Sequence, residues 1–165
     1  MHLFVIRHAI AEDRDHGQDD SARELTSDGV RKFKRGIQGL RKLGWRFDRV
    51  LTSPWARAMK TAELLAPLND GTTLSTELLC DKPRSELFAL IAETSGPQED
   101  NHATAVVGHE PWLTELVGWL AFGDPRHGEA LELKKGGAVW LEGTSIPGGM
   151  KIRALLPPKV LREMR

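Results

Sequence analysis

The sequence predicts an α/β fold in which helices cover both faces of a mainly parallel sheet. Three observations lead to this prediction. Short apolar runs alternate along the chain with longer stretches whose apolar residues recur at helical spacing, a pattern typical of βαβ units. The short runs are apolar throughout, as strands buried on both faces are. The 165 residues suffice for one domain with a substantial core, so we expect a single domain spanning residues 1–165.

The first strand is predicted at Leu3–Ile6, which is a continuous apolar run. The polar, acidic segment from Glu12 to Glu24 is predicted to be a loop. Thr26 or Ser27 can cap the helix that follows, because a hydroxyl oxygen can accept a hydrogen bond from a free N–H of the first turn. Apolar residues then recur every three or four positions until Gly44, which ends the helix.

A second strand is predicted at Arg49–Thr52, and Ser53 and Pro54 directly after it are a typical cap and first-turn pair. We expect the helix that they open to continue to about Leu65. The next stretch, Leu74–Leu79, fits more than one structure, and a short strand is favoured.

A third helix is predicted from Pro83 to about Thr94. The polar loop Ser95–His102 separates it from the apolar strand Ala103–Val107. Pro111 then begins a fourth helix, since proline is well tolerated in the first turn and apolar residues follow at helical spacing.

Two late strands, Ala138–Leu141 and Lys151–Leu155, are predicted as an antiparallel pair around the Gly148-Gly149 turn. The Pro157-Pro158 pair ends the last strand, because proline cannot donate to a sheet ladder. The predicted architecture is therefore a three-layer α/β/α sandwich with a mainly parallel central sheet and a late antiparallel strand.

Composition argues against several classes of protein. Lysine plus arginine and aspartate plus glutamate number 23 each, so the chain lacks the basic excess of most proteins that bind nucleic acids or membrane surfaces. No stretch approaches the roughly 20 apolar residues of a membrane span, and we see no signal peptide. The single cysteine, Cys80, permits no internal disulfide, which is typical of a reducing compartment. We therefore expect a cytoplasmic protein.

Arginine and histidine side chains follow three of the predicted strands. Arg7 and His8 end the first strand, Arg57 lies in the first turn of the helix after the second, and His109 comes directly after the strand that ends near Val107. In parallel sheets, ligands bind beyond the carboxyl ends of the strands, where helix N-termini add unpaired N–H groups. Two guanidinium groups and two imidazoles at this edge should bind a tetrahedral dianion, because the arginine fork bonds phosphate oxygens in pairs.

None of these signals is specific by itself. A histidine at a strand end is often structural, and Arg57 alone could be a surface ion-pair partner. The prediction depends on the three strand ends occurring together and in this order. No cofactor or metal is expected, because the zinc-peptidase-like start at His109 and Glu110 has Leu113 where the second histidine would stand. The remaining histidines also lack ligand spacing: His2, His16, His102 and His127.

Three motifs in this order resemble the histidine phosphatase superfamily. They are Arg7-His8-Ala9, then Ser53-Pro54-Trp55-Ala56-Arg57-Ala58 with Thr61-Ala62 after it, and Gly108-His109-Glu110-Pro111. The similarity spans Leu3 to about Leu156, and it is strongest to the small SixA-like branch, the phosphohistidine phosphatases. Much of the superfamily has glycine where this chain has Ala9, but the small branch tolerates alanine there. The resemblance implies a phosphoglycerate mutase-like fold.

The resemblance also implies roles for individual residues. His8 would be the nucleophile, which attacks phosphorus as a neutral imidazole and forms a covalent phosphohistidine. Its other ring nitrogen would donate to a fixed acceptor, such as a backbone carbonyl. Arg7, Arg57 and His109 would hold the phosphoryl oxygens without a metal ion. Arg23, in the stretch before the first helix, would be a further phosphate contact.

The general acid is the least defined role. Larger relatives use a carboxylate after the second helix, and in this chain Glu77 lies in roughly that region. Glu12 and Glu110 are the alternatives. A phosphoramidate leaving group has a different proton demand from an alkoxide, so the absence of an obvious acid favours a phosphohistidine substrate.

The favoured function is hydrolysis of phosphohistidine in proteins, with inorganic phosphate as the product. Relatives that act on sugar phosphates carry long insertions that form a lid, and this short chain has little room for one. The Ala11–Glu24 segment could flank an open site or be a solvated loop. A small-molecule phosphomonoesterase is the alternative. A mutase, which needs a closed pocket, and a phosphate-binding module without turnover, which need not retain His8, are less favoured.

Overall fold

The computed structural model describes residues 1–14, 17, 19–93 and 101–164. These residues form a six-stranded sheet with the strand order β3-β2-β4-β1-β5-β6. The strands are β1 (His2–Arg7), β2 (Phe47–Thr52), β3 (Asn69–Ser75), β4 (Ala103–Gly108), β5 (Ala138–Gly143) and β6 (Met150–Leu156). The pairs β3–β2, β2–β4 and β4–β1 are parallel, whereas β5 pairs antiparallel with both β1 and β6. The predicted α/β class, with its mainly parallel sheet and late antiparallel strand, is confirmed.

Helices lie on both faces of this sheet. They are α1 (Ser27–Lys42), α2 (Ala56–Leu64), α3 (Ser85–Ala92), α4 (Trp112–Phe122) and α5 (Pro158–Glu163). Short 3-10 helices occur at Asp20–Ala22, Ala66–Leu68, Glu77–Leu79 and Pro125–Ala130. None of the helices in the described ranges combines the length and apolar character needed to cross a membrane.

The three layers follow from the alternation of side chains along the strands. Phe4 and Ile6 of β1 belong to a buried cluster with residues of α1, α2 and α5. Leu3 and Val5 belong to a second buried cluster with residues of α3 and α4. Successive strand residues point to opposite faces, so an entirely apolar run such as β1 requires apolar partners on both sides.

The structure confirms the predicted start of α1 but not that of α2. The predicted cap and first-turn pair Ser53-Pro54 is wrong, because α2 begins only at Ala56, after Trp55, which makes no side-chain cap hydrogen bond. The Thr26 hydroxyl accepts a hydrogen bond of 2.9 Å from the backbone N–H of Gly29, which confirms the predicted cap of α1. Trp55 and Pro111 directly precede α2 and α4, so the N-termini of both helices lie just beyond the carboxyl ends of β2 and β4. Helix α4 ends at Gly123, whose φ of 79° lies in the left-handed region that glycine tolerates.

The prediction of a strand at Leu74–Leu79 is wrong. The strand in this region is β3, which ends at Ser75, and Thr76 caps the following 3-10 helix by accepting a hydrogen bond from Leu78. Strand β3 is the edge of the sheet and most of its side chains are exposed. Its sequence therefore has no apolar run from which it could be recognised.

Two further differences concern the chain after β3. The Pro157-Pro158 pair ends β6 as predicted, but Pro158 also begins α5, which the sequence did not indicate. The helix predicted from Pro83 to about Thr94 is α3, which is shorter. Thr94, most of the predicted loop Ser95–His102 and His16 lie outside the described residues.

The packing of α5 on α1 gives a prediction with a matched control. A Cβ atom added to Gly39 would overlap the backbone carbonyl of Leu161, whereas one added to Gly36 would lie 3.8 Å from the Leu161 Cβ, an ordinary contact. Gly39→Ala should lower the free energy of unfolding by about 1–3 kcal/mol. Gly36→Ala should raise it by up to about 1 kcal/mol, because alanine is the better helix former. Urea denaturation measures both values, and equal effects of the two substitutions would contradict this packing.

Candidate active site

The carboxyl ends of β1, β2 and β4 meet at one edge of the sheet, because β4 lies between the other two strands. His8 follows β1, Ser53 follows β2 and His109 follows β4. The His8 N–H donates to the carbonyl of Gly108 at 3.1 Å, and the Ser53 N–H donates to the carbonyl of Val107 at 3.0 Å. These bonds extend the sheet pairing by one residue and hold the three strand ends together.

A cavity of about 480 Å³ opens at this edge. All five residues that the sequence predicts for phosphate binding line it: Arg7, His8, Arg23, Arg57 and His109. The other lining residues are Arg14, Asp20, Trp55, Glu110, Trp112 and Lys135. Glu77, the predicted acid, is exposed in the 3-10 helix after β3 and is not one of the lining residues, and neither is Glu12.

One ring nitrogen of His8 is hydrogen-bonded to a backbone carbonyl, and the other faces Arg57. The side chain is only 4 % exposed, and its Nδ1 lies 2.7 Å from the carbonyl oxygen of Ala9. A carbonyl can only accept, so Nδ1 carries the proton and Nε2 has a free lone pair. That lone pair accepts a hydrogen bond of 3.3 Å from Arg57 Nε. An imidazole in this tautomer has the form that a nitrogen nucleophile requires.

The surroundings of His8 keep it uncharged. Burial, followed by the positive charges of Arg57, Arg7 and Lys135, lowers the pKa of His8 to about 3, although its hydrogen bond to Ala9 acts in the opposite direction. Burial and the nearby Arg57 likewise lower the pKa of His109 to about 3. Both imidazoles are therefore neutral at physiological pH.

Arg57 donates two hydrogen bonds to Asp20, a residue that the sequence analysis did not select. Arg57 is 3 % exposed; its Nη1 donates to the Asp20 carbonyl at 2.5 Å and its Nη2 to the Asp20 carboxylate at 3.0 Å. The other oxygen of that carboxylate lies 3.0 Å from Arg23 Nε. The two arginines lower the pKa of Asp20 despite the opposing effect of burial. The aspartate-rich composition of this segment was the only available signal, and it does not distinguish Asp20 from its neighbours.

Three buried polar nitrogens of cavity-lining residues have no hydrogen-bond partner within the described parts of the chain. They are Arg7 Nε, His109 Nδ1 and Arg23 Nε, of which the last is in ion-pair range of the Asp20 carboxylate. Arg7 donates its Nη1 to the carbonyl of Leu133 at 2.9 Å, and His109 has its Nε2 2.8 Å from the Ser53 hydroxyl. Buried polar groups are rarely left unpaired, so these nitrogens are available to a ligand or to solvent in the cavity.

Glu110 is a carboxyl group in the cavity wall. Its oxygens accept hydrogen bonds from Thr114, one from the backbone N–H at 3.1 Å and one from the hydroxyl at 2.7 Å. Burial raises the pKa of Glu110.

No group of three or more histidine, cysteine, aspartate or glutamate side chains that could hold a metal ion occurs in the residues that the structure describes. The positive charge at this edge comes from arginine and lysine side chains.

This chain is similar in sequence to one protein family and to a protein of similar length. The family model of the histidine phosphatase superfamily (branch 1) matches residues 3–80. An uncharacterized protein from Picosynechococcus sp. is 37 % identical over 155 residues, which cover 93 % of this chain and 90 % of that protein.

Solved structures share the fold at lower identity. A protein histidine phosphatase SixA, solved in complex with tungstate, has a TM-score of 0.76 at 23 % identity, with 98 % of this chain and 99 % of that chain covered. A putative alpha-ribazole-5'-P phosphatase from Escherichia coli has a TM-score of 0.74 at 16 % identity, with 96 % of this chain and 98 % of that chain covered. These similarities confirm the predicted phosphoglycerate mutase-like fold.

The low pKa of His8 predicts a specific loss of stability in acid. The unfolded chain takes up a proton at the ordinary histidine pKa of 6.5, whereas folded His8 does so only at about 3. Stability should therefore fall as the pH falls through this window, by up to about 1.4 kcal/mol per pH unit for this histidine. His8→Asn should reduce the slope of unfolding free energy against pH by that amount between about pH 6 and pH 4.

Chemical denaturation across this pH range measures the slope. His127→Asn provides the control, because His127 is exposed and lies outside the cavity. Parallel stability profiles for His8→Asn and the unsubstituted protein would contradict a buried, neutral His8.

Proposed function

Because this chain belongs to the histidine phosphatase superfamily, we propose that it hydrolyses phosphate through a covalent phosphohistidine on His8, with phosphohistidine in proteins as its substrate. The proposal is carried by one observation: the neutral His8, whose unprotonated Nε2 accepts a hydrogen bond from Arg57, lines one cavity together with Arg7, Arg57 and His109. A nucleophile and cationic donors at one wall of a cavity are the parts that phosphoryl transfer needs.

The reaction has two displacement steps. In the first, His8 Nε2 attacks phosphorus, an N–P bond forms, and the bond to the leaving group breaks with its electron pair moving to that group, which takes up a proton from a cavity acid such as Glu110. In the second, water attacks phosphorus and returns a proton to that acid, the N–P bond breaks with its electron pair moving back to Nε2, and inorganic phosphate leaves with His8 neutral again. When His8 Nε2 attacks, Arg57 Nε gives up its hydrogen bond to that nitrogen and becomes free to donate to a phosphoryl oxygen.

Arg7, Arg57 and His109 would stabilise the charge on the phosphoryl oxygens in both steps. Arg7 Nε and His109 Nδ1, which have no hydrogen-bond partner among the described residues, supply polar atoms for this purpose. Tungstate, which is bound in the SixA structure of the same fold, is a tetrahedral oxyanion like phosphate. Removing one such donor in other enzymes typically costs on the order of 10²-fold in rate.

The shape and charge of the cavity favour a substrate presented on a protein. Its wall consists of strand-end loops and the first turns of α2 and α4, with Arg14, Arg23 and Lys135 as further positive charges. A phosphorylated imidazole on a protein surface could enter such a cavity from the edge of the sheet. We further propose that the chain is a single catalytic domain that acts in the cytoplasm.

A small-molecule phosphomonoesterase is the second candidate, and the tryptophans in the cavity wall favour it. Trp55 and Trp112 lie with their ring centroids 6.2 Å apart in an edge-to-face arrangement. Aromatic side chains at a cavity mouth can contact a planar ring of a bound metabolite. A protein of the same fold is described as a putative alpha-ribazole-5'-P phosphatase, which is by that description a phosphatase of a small molecule.

The first experiment is to trap the covalent intermediate. Incubation with a labelled phosphodonor followed by a rapid quench should leave one label per protein, stable in base and labile in acid, as expected for a phosphorylated imidazole. His8→Ala should abolish both the label and turnover. His127→Ala is the matched control and should retain both. Full turnover in His8→Ala would reject His8 as the nucleophile.

A substrate comparison separates the two candidates within the same experiment. We expect a higher kcat/KM for a phosphohistidine protein than for a sugar phosphate or a ribazole phosphate, because the further positive charges Arg14, Arg23 and Lys135 around the cavity can contact the protein that carries the phosphohistidine. A preference of similar size for a phosphorylated metabolite would assign the second function instead.

The proton donor to the leaving group can be identified by comparing two carboxylates. Glu110 lines the cavity and its pKa is raised by burial, so we expect it to be a better donor than the exposed Glu77. Glu110→Gln should lower kcat on an alkyl phosphate by on the order of 10²-fold or more, and lower it less on a phosphoramidate, whose leaving nitrogen has a different proton demand. Steady-state kinetics of Glu110→Gln and Glu77→Gln measure the difference. A larger loss in Glu77→Gln would assign the role to Glu77.

A further inference from the structure

Ser53 occupies a junction of three hydrogen bonds behind the cavity wall. It is completely buried, and its hydroxyl oxygen lies 2.8 Å from His109 Nε2. The same oxygen lies 3.2 Å from the Cys80 sulfur and accepts a hydrogen bond of 3.2 Å from the backbone N–H of Trp55. The reaction described above uses neither Ser53 nor Cys80.

The tautomer of His109 decides what the imidazole offers to a ligand. The ring is 3 % exposed and neutral, so one nitrogen carries a proton and the other a lone pair. Nε2 faces Ser53, and Nδ1, on the other side of the ring, has no partner among the residues described. With the proton on Nε2, a lone pair on Nδ1 would repel phosphoryl oxygens. With the proton on Nδ1, the ring donates to them.

Counting hydrogens on Ser53 links the tautomer of His109 to the direction of the Cys80 contact. A hydroxyl has two acceptor sites and one proton. The Trp55 N–H fills one acceptor site. Burial raises the pKa of Cys80 and keeps its thiol protonated, and that thiol has two acceptors beside it, the Ser53 hydroxyl and the Glu77 carboxylate. When the thiol donates to Ser53, the Ser53 proton has one remaining neighbour to bond, which is His109 Nε2. When the thiol donates to Glu77, Ser53 can donate to the sulfur and His109 Nε2 carries the proton.

We propose that Ser53 is a positioning residue that holds His109 in the Nδ1–H tautomer, with Trp55 N–H and the Cys80 thiol orienting the Ser53 hydroxyl. His109 then presents a hydrogen-bond donor to the phosphoryl group. No proton moves between Cys80, Ser53 and His109 during the reaction. The catalytic consequence rests on the proposed function. The tautomer itself is a property of the free protein and can be tested without a substrate.

Nitrogen NMR of protein labelled at its histidines measures the tautomer directly. In the unsubstituted protein we expect His109 to show a protonated, pyrrole-type Nδ1 and an unprotonated, pyridine-type Nε2. Loss of the signals in His109→Gln assigns them. Ser53→Ala should move the proton of His109 wholly or partly to Nε2. His8, whose Nδ1 is held by the Ala9 carbonyl, should keep its tautomer and so report that the fold is intact.

Variants at Cys80 give a second test that does not depend on how Ser53→Ala folds. Cys80→Ser keeps a donor and should retain the Nδ1–H tautomer, whereas Cys80→Ala should shift His109 toward the other tautomer. A protonated Nε2 in the unsubstituted protein would overturn the proposal. An unchanged His109 tautomer in both Ser53→Ala and Cys80→Ala would also overturn it.

Kinetics then separate this proposal from the proposed function. Ser53→Ala should lower kcat by on the order of 10²-fold with a smaller change in KM, because the lost donor acts mainly on charge that develops in the transition state. Cys80→Ser should recover more of the rate than Cys80→Ala. If the unsubstituted protein forms no phosphoenzyme, the proposed function fails and the NMR result still stands. If it forms one, and Ser53→Ala has both an unchanged tautomer and an unchanged kcat, the positioning role alone fails.

Discussion

An uncharged imidazole surrounded by cations is the constraint on which the rest of this structure depends. His8 would ordinarily be half protonated at a pH of 6.5, but its burial and three neighbouring positive charges lower its pKa to about 3. The Ala9 carbonyl fixes which nitrogen holds the remaining proton. Both effects require that β1 ends inside the protein, next to β4. An exposed strand end would leave His8 solvated, free to protonate and without a fixed lone pair.

The same edge of the sheet must also accommodate buried positive charge. Arg57 is almost fully buried, and burial lowers its pKa while the Asp20 carboxylate opposes that effect. Asp20 is the acidic residue among the cavity-lining groups that contacts two arginines directly. It balances part of the charge of Arg57, Arg23 and Arg14 in the free protein and leaves Arg7 and Lys135 to attract an anion. A phosphoryl dianion would offset part of the remaining positive charge.

The fold and the choice of substrate are set by different residues. Proteins of this fold include one described as a protein histidine phosphatase and one described as a putative alpha-ribazole-5'-P phosphatase, at identities of 23 % and 16 %. The sheet edge that holds His8, Arg57 and His109 suits phosphoryl transfer in general. Selection among substrates must therefore come from side chains around the mouth, such as Trp55, Trp112 and Lys135.

The sequence by itself determined the fold class, most of the strands and helices, and five of the residues that line the cavity: Arg7, His8, Arg23, Arg57 and His109. This was possible because buried strands and amphipathic helices carry periodic apolar patterns, and because Arg7, His8, Arg57 and His109 occur in ordered motifs next to strand ends. The edge strand β3 and helix α5 carried no such pattern, since one is exposed and the other is short. Only the tertiary structure decided the pairing of Asp20 with Arg57, the contact of Ser53 with His109 and the cavity position of Glu110. These depend on distances and directions between residues far apart in the chain, about which local sequence contains no information.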